Sequence, residues 1–242
     1  MAETGHAKNV ANFETMISFV TGYGGDYKPS NAAIALAQLT AALASAQAMI
    51  DGVTTGLIGW KVQVNSREGE FQGIGKFMTR LSASYAACGA PTNAIEDMKG
   101  FARKVKGARK GKIEIDDPNT PENEAAHNSV SQRSYTQVVE HFDAAIELCM
   151  NTPQFNPNEA DLTVAAMQAK SAAMKVANTN VTNSVTTLSN NRISRDEVLY
   201  TDATSIFELA RLVKLYVKSL YGQGSPQYKQ ISGLKFTKPR GL

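Results

Sequence analysis

Residues 36–88 read LAQLTAALASAQAMIDGVTTGLIGWKVQVNSREGEFQGIGKFMTRLSASYAAC. Alternating steps of three and four pick out Leu36, Leu39, Leu43, Ala46, Ile50, Val53, Leu57, Trp60, Val64, Arg67, Phe71, Ile74, Met78, Leu81, Tyr85 and Cys88. Only Arg67 in this series is polar. Such spacing places an apolar stripe on one side of a helix, in the manner of a coiled-coil seam. Taken literally it predicts a helix of about 50 residues, about 80 Å long at 1.5 Å per residue. Ordinary helices are far shorter, and Asp51-Gly52, Gly56 and Gly59 offer a place to turn. Two arrangements follow. One has a long helix with short helices packed on it. The other is an up-down bundle of three or four helices. Both are all-α.

The same pattern occurs a second time. Tyr27-Lys28-Pro29-Ser30-Asn31-Ala32 matches Phe155-Asn156-Pro157-Asn158-Glu159-Ala160, and from Pro29 and Pro157 onward an offset of 128 brings Arg67 onto Arg195 without a gap. The second seam runs from Val164 through Met167, Ser171, Met174, Asn178, Val181, Val185 and Leu188. It continues past Arg192 and Arg195 to Leu199, Asp202, Ile206, Leu209, Val213, Tyr216 and Leu220, with a polar middle. Asp51-Gly52 aligns with Thr179-Asn180, and the phase of the seam is kept across both pairs, which favours the long helix. The expected organisation is therefore two tandem helical bundles. Repeat 1 spans residues 1–113, an acidic Pro/Asn linker spans 114–130, and repeat 2 spans 131–242. A short helix is expected before each proline, near 8–21 and 131–151. Pro29 and Pro157 fit the first helical position, where a missing N–H is harmless. Asn156 and Glu159 have capping-box spacing. Both repeats close on alternating basic and apolar residues, Lys112-Ile113-Glu114-Ile115 and Leu234-Lys235-Phe236-Thr237, which suggests a short two-stranded ribbon between the repeat ends.

Composition narrows the class. Apolar residues make up 43% of the 242 residues, enough for sizeable cores, while charged residues are only 19%. The net charge of +3 is too small for a chain specialised in nucleic acid. Two cysteines, Cys88 and Cys149, supply neither a disulfide framework nor a Cys-rich zinc site. The opening Met1–Lys8 lacks an apolar run behind a basic start, so a cytoplasmic setting is expected. Residues 30–50 form the longest uncharged run, but it is mostly alanine with Gln38, Thr40, Ser45 and Gln47, which reads as a soluble helix rather than a transmembrane segment.

Reaction chemistry finds little footing. Gly69–Lys76 has the wrong spacing for a phosphate loop, and Phe77 stands where Ser or Thr is needed. His6, His127 and His141 are scattered, and Glu140-His141 is not the Glu-x-x-His of a di-iron bundle. No catalytic residue, cofactor or metal ligand is assigned. Arg67 and Arg195 are the notable charges, each on the apolar seam with carboxylates beside it. An arginine there needs a partner, so they are candidates for fixing helix register or for pairing with a bound anion. Lys104, Lys106, Arg109 and Lys110, with Lys235 and Lys238 from the second repeat end, form a candidate basic patch.

The joint at Tyr27–Pro29, the run Asn156-Pro157-Asn158-Glu159-Ala160-Asp161-Leu162 and the run Ser225–Gly233 resemble those of uncharacterised bacterial proteins made of two tandem helical repeats. The resemblance implies the fold and brings no activity. The leading expectation is a non-enzymatic structural or interaction protein that presents helical surfaces to copies of itself or to another protein. An anion- or nucleic-acid-binding module using the basic end comes second, and a soluble helical protein that inserts into membranes comes third.

Overall fold

The seam folds as helix, but not as one helix. The computed structural model describes residues 4–107 and 133–239, and it is an all-α helical bundle. Eight α-helices appear among the described residues: α1 (Thr4–Gly22), α2 (Leu36–Phe71), α3 (Ile74–Ala87), α4 (Thr92–Lys106), α5 (Tyr135–Met150), α6 (Val164–Asp196), α7 (Ile206–Tyr221) and α8 (Pro226–Ser232). Helix α2 is 36 residues long and α6 is 33. Both pass without interruption through Asp51-Gly52 and Thr179-Asn180. The seam breaks later, at Gln72-Gly73, where Gly73 takes φ +78°, a left-handed conformation that side chains disfavour. The second seam breaks where α6 gives way to a π-helical turn, Glu197–Thr201.

The glycines of α2 serve packing rather than turning. A Cβ on Gly56 would stand 3.0 Å from Asn191 Nδ2 and 3.5 Å from Leu188 Cα. The bare backbone thus lets α6 approach, and Asn191 Nδ2 donates to Gly52 O at 2.8 Å. Pro29 and Pro157 do not open helices. Each precedes a 3-10 turn, Ala32–Ile34 and Ala160–Leu162, whose last residue is buried, and the long helix starts only beyond it. Asn31 caps the first of these turns by accepting from Ala33 N. The Asn156/Glu159 capping box does not form at the second, because no side chain caps that turn. A capping box does form at Ser134/Gln137 on α5, and proline at the first turn is found at Pro226 on α8.

The described residues divide into two compact units, Met1–Lys61 with Asn183–Leu242, and Val62–Thr182. Each unit draws on both halves of the chain. The core of the first takes Phe13, Met16 and Val20 from α1, Leu39 and Ala46 from α2, Leu199 from the π turn, Ile206, Leu209 and Val213 from α7, and Ile231 from α8. The core of the second takes Phe142, Ile146 and Cys149 from α5, Met167 and Met174 from α6, Met78, Leu81 and Tyr85 from α3, and Met98 from α4. Each fully buried large side chain contributes roughly 1.5–3 kcal/mol by leaving water. The polar middle of the second seam is only partly satisfied: Ser171 donates to Asp143 on α5, and Lys175 pairs with the same carboxylate at 2.7 Å, but Asn178 Oδ1 is buried without a hydrogen-bond partner among the described residues.

The two-stranded ribbon is unsupported: no strand occurs among the described residues. Residues 231–232 complete α8, and Leu234–Lys238 belongs to neither helix nor strand. Its backbone groups are taken by side chains of α1 and α7 instead. Residues 108–115 of the other repeat end lie outside the described residues, as does the expected linker at 114–130.

Candidate functional site

The first unit contains a buried polar cluster where α1, the π turn and Leu234–Lys238 meet. Asn9 and Asn12 stand three residues apart on α1, so they occupy adjacent turns of one face. Asn9 is 2% exposed and its amide is fully engaged. Nδ2 donates to Tyr200 Oη at 3.0 Å and to Thr237 O at 2.7 Å, while Oδ1 accepts from Thr237 N at 3.1 Å. Asn12 Nδ2 donates to Lys235 O at 2.7 Å. Lys214 on α7 donates to Leu234 O at 2.5 Å and lies over the Phe236 ring, 5.2 Å from its centroid. Burial pushes the Lys214 ammonium below its ordinary value, because the charged form is disfavoured away from water.

The contacts of Leu234–Lys238 alternate along the segment. Here the backbones of Lys235 and Thr237 meet the asparagines, while Leu234 and Phe236 pack against the core. Tyr200 ties this contact inward through a hydrogen bond between its hydroxyl and His6 Nδ1, 2.8 Å apart. Tyr200 reaches that position from the π turn, whose extra residue per turn lets both Leu199 and Tyr200 point inward. The arrangement recognises backbone through side-chain amides.

The two seam arginines occupy different surroundings. Arg195 is 5% exposed and donates through Nε and Nη2 to Asp196 Oδ1 at 3.0 and 2.8 Å. This is the ion-pair reading, made with the next residue at the end of α6. Arg67 is only partly buried. Its guanidinium carbon lies 3.9 Å over the Tyr135 ring, and its Nε is buried with no hydrogen-bond partner among the described residues. A cation over an aromatic face offsets part of that cost. Arg67 therefore holds α2 to the start of α5, in the second unit.

The candidate basic residues fall on separate elements. Lys104 and Lys106 end α4 in the second unit, whereas Lys235 and Lys238 belong to the first; Arg109 and Lys110 lie outside the described residues. On α4, Lys99, Arg103 and Lys106 line a shallow depression of about 250 Å³ with Ser82. Lys99 is paired with Glu96 at 2.7 Å, and Arg103, Lys104 and Lys106 complement the negative end of the helix dipole. At Lys235 the structure uses the carbonyl rather than the ammonium.

Other candidates are quiet. Cys149 is buried and its thiol is pushed up to about 12, mainly by burial and then by Cys88 nearby, so it is a poor nucleophile. His141 is lowered, first by burial and then by Lys104. Among the described residues no group of three or more His, Cys, Asp or Glu could hold a metal ion. A cleft of about 370 Å³ in the first unit is lined by small and apolar residues, with Asp202 its one ionisable group. That carboxylate is held by Thr204 N at 3.0 Å and Thr204 Oγ1 at 3.1 Å, which lowers its pKa. One stretch, Leu36–Ala87, is long and apolar enough to cross a membrane by length and composition.

Sequence reasoning passed over Asn9, Asn12 and Tyr200. The only available signal was a pair of asparagines on the first helix and a Leu-x-Phe alternation more than 200 residues away. No known protein family, curated protein or solved structure matches the chain.

Proposed function

We propose that this chain is a non-enzymatic structural protein that assembles with copies of itself through the outer faces of its long helices. The observation that carries the reading is the apolar side chains left in water on α2 and α6. The first unit exposes Ile58 (57%), Val185 and Ile193 (55%), and the second exposes Val62 and Val176. Single exposed apolar residues are ordinary, but these sit on helices unusually poor in charge. Residues 176–191, VANTNVTNSVTTLSNN, contain no ionisable side chain. Several threonine hydroxyls there are spent on the helix itself: Thr179 donates to Lys175 O, Thr182 to Asn178 O and Thr187 to Asn183 O. A threonine bonded this way turns its methyl outward. Asn, Thr, Ser and Val are also poor helix formers. Their use on an exposed face therefore fits a need for contact rather than for helix stability.

The chain also reads as a duplication. Positions 128 apart are buried in pairs: Ile34 and Leu162, Leu39 and Met167, Ala46 and Met174, Val53 and Val181, Leu81 and Leu209, Tyr85 and Val213. In each unit the opening helices of one copy pack with the closing helices of the other, as in an exchange between duplicated bundles.

Replacing Val185 and Ile193 together by Lys tests the assembly reading. The wild-type particle mass by light scattering should grow with concentration, and that of the variant should stay at one chain while its thermal unfolding stays close to wild type. Growth of the doubly substituted chain equal to that of the wild type would remove the helix faces as the assembling surface.

A further inference from the structure

We propose that the cleft in the first unit between α2, the π turn and α7 binds a small aromatic amine, with its ring on the apolar lining and its ammonium beside Asp202. The cleft measures about 370 Å³. That is a size at which small-molecule sites occur, and such sites are mostly apolar with a few polar groups that orient the ligand. The deeper lining is Ala42, Val198, Ile206 and Leu209, and exposed Gln38 and Asp202 stand at its edge. Thr204 holds the Asp202 carboxylate through its N–H and its hydroxyl and keeps it below the usual carboxylate range. Asp202 is therefore charged at neutral pH, and the lining contains no basic side chain to neutralise it.

The second unit indicates what such a cleft takes. With the offset of 128 used above, Asp202–Ser205 correspond to Ile74–Phe77. In the second unit those residues form the first turn of α3, whereas in the first unit they are not helical and α7 starts one turn later, at Ile206. The turn that the first unit lacks carries Phe77. Its ring stands edge-on to Phe142, with centroids 5.7 Å apart, and the Lys170 ammonium lies 5.9 Å from its centroid. Lys170 corresponds to Ala42 of the cleft. Arg80 and Asp161, paired at 2.7 Å, correspond to Glu208 and Ala33, which cannot pair. The second unit thus fills with its own ring and ammonium the place that the first leaves open. The first adds a carboxylate there, since Asp202 stands where the second has Ile74. An aromatic group carrying an ammonium complements both the shape and the charge.

The site is independent of assembly and is tested on the full chain at low concentration. Phenethylamine is titrated in while the backbone amide resonances are followed. Saturable shifts should concentrate at Ala42, Thr204 and Leu209, and phenylpropionate, of similar size and opposite charge, should give none. Asp202→Asn keeps an oxygen for Thr204 and should weaken phenethylamine binding roughly fivefold, the upper end for an exposed ion pair. Ala42→Phe places a ring in the cleft and should abolish binding. Circular dichroism checks that this variant folds, and Asp202→Asn carries the test alone if it does not. No saturable shift, equal binding of the two probes, or binding unaltered by Asp202→Asn would each overturn the proposal.

Discussion

Replacing Asn9 by Ala removes three hydrogen bonds at once, two to Thr237 and one to Tyr200. At a net value of about 1 kcal/mol each the ceiling is about 3 kcal/mol. The Tyr200 hydroxyl keeps its bond to His6, and the Thr237 groups lie at the surface, where water replaces part of what is lost. The cost of undocking Leu234–Lys238 therefore settles near 2 kcal/mol. Amide exchange reads it directly: the Thr237 N–H, which donates to Asn9 Oδ1, should exchange about 30-fold faster, since 1.4 kcal/mol is tenfold. Asn9→Asp keeps the shape but loses both donors. At neutral pH its buried carboxylate faces Thr237 O and Tyr200 Oη without a proton to offer, so its folded pKa rises above the ordinary aspartate value of about 3.9. The penalty of Asn9→Asp should then exceed that of Asn9→Ala at pH 7 and shrink as pH falls toward 4. Unchanged Thr237 exchange in Asn9→Ala, or an Asn9→Asp penalty relative to wild type that shrinks on raising the pH, would refute the docking described here.

Two further outcomes follow from the packing and from His141. Gly59 has open space around its Cβ position, whereas Gly56 faces Asn191 and Leu188. Gly59→Ala should raise stability by up to about 1 kcal/mol through helix propensity, and Gly56→Leu should lower it by about 1–3 kcal/mol through overpacking; urea unfolding followed by circular dichroism measures both. His141 has a folded pKa below its ordinary 6.5, through burial and then Lys104, with Glu140 opposing. Between those two values the unfolded chain holds more protons, so stability rises with pH through that window and is lost as the medium acidifies below 6.5. His141→Gln should flatten this slope in denaturation midpoints taken between pH 5 and 7, and a slope unaltered by the substitution would place its origin elsewhere.

The helical class was legible because the stripe from Leu36 to Cys88 obeys one period throughout, and Met78, Leu81 and Tyr85 are indeed fully buried. The break at Gly73 was not. Gly52, Gly56 and Gly59 looked at least as able to turn the chain, and only the approach of Leu188 and Asn191 shows why helix continues through Gly56. Pro29 and Pro157 marked the joints correctly but not the helix starts, since a 3-10 turn intervenes at each. At the closing segment, the alternation Leu234-Lys235-Phe236-Thr237 is equally suited to a strand and to a lone segment outside any sheet. What decides between them is whether amide side chains on a distant helix supply the missing bonds. Arg195 found a carboxylate, as its place on the seam required, while Arg67 found an aromatic ring.

Sedimentation of the unmodified protein over a wide concentration range bears most directly on the proposal that this chain works by association. A weight-average mass that climbs well above 26.0 kDa and falls back on dilution is the expected behaviour; a sharp boundary at the mass of one chain at every concentration would contradict it.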